Sequence, residues 1–117
     1  MRILVIDDEK SLADTLAMIL QHAGYQAASI YDGASALKLV ETFVPDCVIC
    51  DVIMPGMNGI QTCAEIAVKH PGCHILLFSG QAEGNELVNK ARADGYTWEL
   101  LAKPVEPDEL LAKIASG

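Results

Sequence analysis

Apolar residues follow two alternating patterns along this chain. At 3–6, 47–50, 73–78 and 98–102 they form short, nearly continuous blocks, and 26–30 is a weaker block of mixed polarity. Between the blocks they return every three or four residues. Leu12, Leu16, Ile19, Leu20 and Ala23 make one such stripe, and Ala34, Leu37 and Val40, with Val44 beyond, make the next. Ile60, Cys63, Ala64 and Ala67 follow, then Leu87, Val88 and Ala91, and finally Leu110, Leu111 and Ile114. The first pattern predicts strands and the second predicts amphipathic helices. The punctuation agrees: Gly24 and Gly95 suit helix ends, Asp32 suits a cap, Pro45 and His70-Pro71-Gly72 close helices, and Pro107 suits a first turn.

Near-continuous apolar strands are buried on both faces, which implies a parallel sheet with helices on each side. Strand and helix alternate five times with no linker and no low-complexity segment, so 1–117 is expected to be a single domain. Right-handed crossovers make it a doubly wound α/β fold, with 26–30 at an edge of the sheet. In such sheets ligands bind at the carboxyl ends of the strands.

The polar residues at those ends form a coherent set. Asp7 and Asp8 follow the first strand, Asp51 the third, Ser79 the fourth and Lys103 the fifth. Three carboxylates on one rim repel one another and hold each other's pKa up unless a cation lies among them. Hard oxygen donors with room for water suit Mg²⁺. Such an ion and Lys103 would together offset the charge of a transferring phosphoryl group, Ser79 would offer it a hydroxyl, and Asp51 would attack phosphorus.

Composition narrows the partners. The formal net charge of −8, with only 8 Lys and Arg in 117 residues, argues against direct binding to nucleic acid or anionic membrane. No apolar run is long enough to span a bilayer and no signal peptide precedes the first strand, so the expected location is cytoplasmic. Cys47 and Cys50 form a C-x-x-C, but within a strand they point to opposite faces and cannot converge on a metal. With Cys63 and Cys73 they read as buried thiols. His22, His70 and His74 are scattered near element ends and read as surface or structural residues.

The acidic pair Asp7-Asp8, the turn Asp51-x-x-Met54-Pro55-Gly56-Met57-Asn58-Gly59, Ser79-Gly80 and Lys103-Pro104 occur in this order over the whole chain. In this the chain resembles the receiver domain of two-component response regulators, of the chemotaxis type. The resemblance implies a flavodoxin-like (βα)5 fold with strand order 2-1-3-4-5 and a cis Lys103-Pro104 bond. It implies a switch in which Asp51 takes a phosphoryl group from a sensor histidine kinase or phosphotransfer protein. Asp8, Asp51 and the Ile53 carbonyl would ligate Mg²⁺, with Asp7 acting through water, while Lys103 and Ser79 would meet the phosphoryl oxygens. The partners implied are an upstream kinase and a downstream protein target or output domain, with a homodimer through the fourth helix, fifth strand and fifth helix as a further option. Such a domain is no enzyme in the usual sense, since it catalyses only its own phosphorylation and dephosphorylation.

Leu100 stands three residues before Lys103, where the family usually has Tyr or Phe, so the usual coupling from the hydroxyl residue to an aromatic ring is altered. Tyr96 and Trp98 lie nearby, and Trp98 shares the strand side of Leu100. The stretch 94–99 is long for a helix-to-strand connection, which suggests an unusual output surface. Ile53 and Gln81, two residues past Asp51 and Ser79, bear on how long the phosphate lasts. Ile53 cannot orient water and Gln81 can, so slow to intermediate loss is expected. Two other functions compete. A Mg²⁺-dependent aspartyl phosphatase would want an acid at position 53 and a larger substrate pocket. A pseudo-receiver, binding partners without phosphorylation, would not need Asp8, Asp51, Ser79 and Lys103 together.

Overall fold

The computed structural model describes residues 1–80 and 82–116. Gln81, to which part of the expectation about phosphate lifetime is tied, lies outside the described residues. Among the described residues, five strands and five helices alternate: β1 (Arg2–Ile6), α1 (Lys10–His22), β2 (Gln26–Ile30), α2 (Gly33–Phe43), β3 (Cys47–Asp51), α3 (Gly59–Lys69), β4 (His74–Ser79), α4 (Ala82–Ala93), β5 (Glu99–Ala102) and α5 (Pro107–Ser116). All pairings are parallel and the order is β2-β1-β3-β4-β5, with the mixed-polarity β2 at an edge as expected.

The pleat sorts the side chains into two cores. Ile3, Val5, Cys47, Ile49, Leu76, Phe78 and Leu101 face α1 and α5, where Leu16, Leu20, Leu110 and Ile114 meet them. Leu4, Ile6, Val48, Cys50, Ile75 and Leu77 face the other way, onto Val40, Cys63, Ile66 and Val88 of α2, α3 and α4. Burial on both faces explains the unbroken apolar blocks, and each such Leu, Ile or Val stabilises the fold by about 1.5–3 kcal/mol of transfer free energy. Cys47 and Cys50 do point to opposite cores, and all four thiols are free.

The local signals act as their chemistry dictates. The Asp32 side chain caps α2 by accepting the Ser35 amide at 2.7 Å. Asn58 and Gln61 form a reciprocal capping box at the start of α3. Gly24 follows α1 with φ +99°, a conformation cheap only for glycine. Three stripe positions depart from the expectation. Ala23 and Ala34 are exposed, and Ala13, Ala17 and Ala36 are buried instead. Small residues carry too little apolar contrast to fix the face of a helix. Val44 is not an extension of the α2 stripe: it is the left-handed C-cap, φ +49°, and lies 47% exposed. β4 and β5 each begin one residue later than the apolar blocks, leaving Cys73 and Trp98 in the preceding connections.

Candidate functional site

Register brings the strand ends together. Ile6 pairs with Cys50, Asp51 with Phe78, and Ser79 with Ala102, so the residues at or just after these strand ends share one rim. Asp7 follows β1, Asp51 and Ser79 end β3 and β4, and Lys103 follows β5. Backbone bonds continue the ladder past the strands: Asp7 N–H donates to the Ile30 carbonyl at 3.1 Å, Val52 N–H to Phe78 at 3.1 Å and Lys103 N–H to Ser79 at 3.2 Å. The site is therefore built on rigid backbone.

Lys103 Nζ sits between the acids, 3.3 Å from Asp51 Oδ2, 3.4 Å from Asp7 Oδ2 and 3.8 Å from Glu9 Oε1. Asp7 is fully buried, Asp51 and Ser79 nearly so, while Asp8 is exposed. Asp7 Oδ1 accepts the Glu9 amide at 2.9 Å, so Asp7 braces a turn while Glu9 occupies the N-cap of α1. Its other oxygen, Oδ2, is buried without a hydrogen-bond partner, and the contact with Lys103 is an ion pair lacking hydrogen-bond geometry.

Burial and then the neighbouring Asp7 charge push the Asp51 carboxyl up to about 6, against the pull of Lys103. Burial likewise raises Asp7, opposed by the Glu9 amide and Lys103. For Lys103, burial works downward, but the Asp51 and Asp7 charges outweigh it and the ammonium is held more firmly than usual. One cation among three acids leaves the rim short of positive charge.

One oxygen from each of Asp7, Asp8 and Asp51 comes within 4.8 Å of the others, the spacing needed to surround an ion. Among the described residues this is the one group of three or more acids, histidines or cysteines able to do so. The all-oxygen donor set and the orphaned Asp7 Oδ2 fit a hard divalent cation such as Mg²⁺. His22 is exposed in the last turn of α1, and His70 Nε2 and His74 Nδ1 are buried without partners. None of the three joins the acidic group.

Two glycines that the sequence did not single out as site residues allow close approach. A Cβ on Gly59 would run into the Asp51 carbonyl, and one on Gly84 would strike Ser79 Oγ and lie 3.6 Å from Ile53. The first turns of α3 and α4 thus rest directly on the site. Leu100 lies beside Leu77 and packs with Trp98 against the α2–α4 core. Tyr96 stacks on Trp98 with ring centroids 4.4 Å apart, so the long connection before β5 is an ordered aromatic pair.

The family model for the response regulator receiver domain matches residues 3–115. The DNA-binding response regulator MtrA of Mycobacterium tuberculosis is 36% identical over 115 residues, covering 97% of this chain and 48% of that protein. This chain therefore spans about half the length of the curated relatives it matches. Among solved structures, chemotaxis protein CheY4 of Vibrio cholerae has a TM-score of 0.87 and 27% identity, over 98% of this chain and 96% of that one. A CheY-like receiver domain protein of Methanospirillum hungatei has a TM-score of 0.84 and 26% identity, over 98% and 90%.

Proposed function

The chain belongs to the response regulator receiver domain family, the phosphorylation-dependent switch of two-component signalling, and from that premise we propose that Asp51 is the residue that accepts the phosphoryl group. The observation that carries this assignment is the Lys103 ammonium 3.3 Å from a buried Asp51 carboxylate whose pKa is held near 6 beside two further acids. An Asp51 oxygen attacks phosphorus, the bond from phosphorus to the donor breaks with its electron pair leaving on the donor, and an acyl phosphate forms. Lys103 then pairs with a phosphoryl oxygen, and the Ser79 hydroxyl donates to another. Asp8, Asp51 and the Ile53 carbonyl would hold Mg²⁺, with Asp7 reaching it through water. Bound there, the ion supplies the positive charge that lets anionic donor and carboxylate approach.

The chain is a self-modifying switch, catalysing its own phosphorylation and dephosphorylation. A sensor histidine kinase or phosphotransfer protein supplies the phosphoryl group in the cytoplasm. No described helix is long and apolar enough to cross a membrane. Residues 1–117 act as one receiver unit. The signal leaves through α4, β5 and α5, either to a separate protein or homodimer partner or to an output domain such as a relative named a DNA-binding response regulator would carry. The Tyr96–Trp98 stack beside β5 gives that surface its own character.

Intact mass measured after incubation with Mg²⁺ and acetyl phosphate tests the assignment. One added phosphoryl group in the wild type and none in Asp51→Asn is the expected result. Equal labelling of the two proteins would place the acceptor elsewhere.

A further inference from the structure

A lysine side chain has four rotatable stem bonds, and Lys103 has a competing partner on its solvent side. Glu9, exposed to 69%, lies 3.8 Å from Nζ, against 3.3 Å for Asp51. Asp7, at 3.4 Å, and Asp51 draw the ammonium inward, but it is strongly hydrated on a flexible stem and can still pivot toward Glu9 and water, the more so once a cation engages the two buried acids. Something must hold it over the acceptor without consuming its charge.

Three consecutive residues at the end of β4 surround Lys103. The Ser79 carbonyl accepts its backbone N–H at 3.2 Å. Gly80 leaves space for the stem, since a Cβ there would come within 3.2 Å of Lys103 Cβ and 3.8 Å of Cδ. The Phe78 ring lies beneath the ammonium, with Nζ 5.1 Å from its centroid. Phe78 is fully buried, is the register partner of Asp51, and accepts the Val52 amide at 3.1 Å through its carbonyl. The ring is therefore fixed to the same backbone that presents the acceptor. Its face attracts a cation electrostatically, and Lys103 is only 19% exposed, a setting in which that attraction is strengthened by loss of water.

We propose that Phe78 is a positioning residue for Lys103: its ring holds the ammonium inward over Asp51 while leaving its charge free for the incoming phosphoryl oxygens. A carboxylate in the same place would compete with the phosphoryl group for the ammonium. An aliphatic side chain would fill the volume but offer no negative face. This inference rests on the assignment of Asp51 as acceptor.

The test replaces Phe78 with mono-, di- and trifluorinated phenylalanine, which drains the ring face of negative potential at nearly constant shape, and adds Phe78→Leu. The rate of acyl phosphate formation from acetyl phosphate at fixed Mg²⁺ should fall stepwise with fluorine number, by about threefold to tenfold in all, with the thermal midpoint unchanged. By NMR without phosphodonor, the Lys103 ε-protons should show a ring-current displacement in the wild type that disappears in Phe78→Leu. A rate that is flat across the fluorinated series, or that falls only as the thermal midpoint falls, overturns the proposal. Unshifted wild-type ε-protons also overturn it. If wild type takes up no phosphoryl group, the acceptor assignment itself fails, and the ring-current result separately judges whether the ring meets the lysine. Should Phe78→Leu not fold, the fluorinated proteins carry both measurements.

Discussion

The two rims of the sheet treat their charges in opposite ways. At the amino ends of the strands two acids have simple partners: Asp46 accepts the Arg2 amide at 2.8 Å, and Glu99 pairs with Lys113 at 2.9 Å. The second pair is solvent-exposed, and the Lys113 hydrogen bond and charge lower the Glu99 pKa. At the carboxyl ends, beside Lys103, Asp7 and Asp51 are buried next to each other and their pKa values rise. The same residue types settle charge on one rim and concentrate it on the other. Function resides where the electrostatics are left unresolved, because only there does a cation or an anionic phosphoryl group find something to complete.

The carboxyl-end rim depends most on Lys103, the cation set between Asp7 and Asp51. Lys103→Met should slow acyl phosphate formation by roughly a hundredfold or more, the scale of losing one charge-stabilising donor, and timed intact-mass measurements check it. Next comes pH. Asp51, raised from 3.8 to about 6, binds its proton more tightly folded than unfolded. Metal-free protein should therefore be favoured at low pH and lose stability as pH climbs from about 4 through about 6, by an amount of order 3 kcal/mol. Denaturant melts across that range should show the fall, and Asp51→Asn should remove most of it. Mg²⁺ affinity, read by titration, should correspondingly weaken as pH drops below about 6.

A smaller effect sharpens the picture of the active rim. Ile53 is half-buried and cannot orient water, so Ile53→Asn should speed loss of phosphate by roughly severalfold to tenfold, within the range of one positioned proton-transfer group. An unchanged decay rate after donor removal would count against it. On the opposite rim Glu99→Gln should leave the melting midpoint and the phosphorylation rate where they were, since an exposed pair contributes little.

Much of this was legible from the chain alone, and the reason is geometric. In a parallel sheet every strand end of one sense lies on one rim, so the sequence alone gathers Asp7, Asp8, Asp51, Ser79 and Lys103 there. The order of the strands came only through the resemblance, because nothing in an apolar block says which neighbour it takes. The faces of α1 and α2 were partly misjudged for want of contrast at Ala13, Ala17, Ala23, Ala34 and Ala36. Gly59, Gly84 and Phe78 escaped the site reading for another reason. Their roles are contacts between elements distant in sequence, and a glycine or a phenylalanine in an apolar stretch carries no mark of what it will touch.

The two-sided core also decides how the protein answers thiol reagents. Burial pushes the thiols of Cys47 and Cys73 up to about 12, a hydrogen bond with Cys63 and then burial hold Cys50 well above its usual value, and Cys63 is fully enclosed. At pH 8 only about one molecule in ten thousand carries a Cys47 or Cys73 thiolate, the form that alkylates. A cysteine introduced on the surface, for instance beside the Tyr96–Trp98 stack, would then be the one fast-reacting site. A dye placed there could follow the proposed output face through the switch without first stripping the native cysteines from the core.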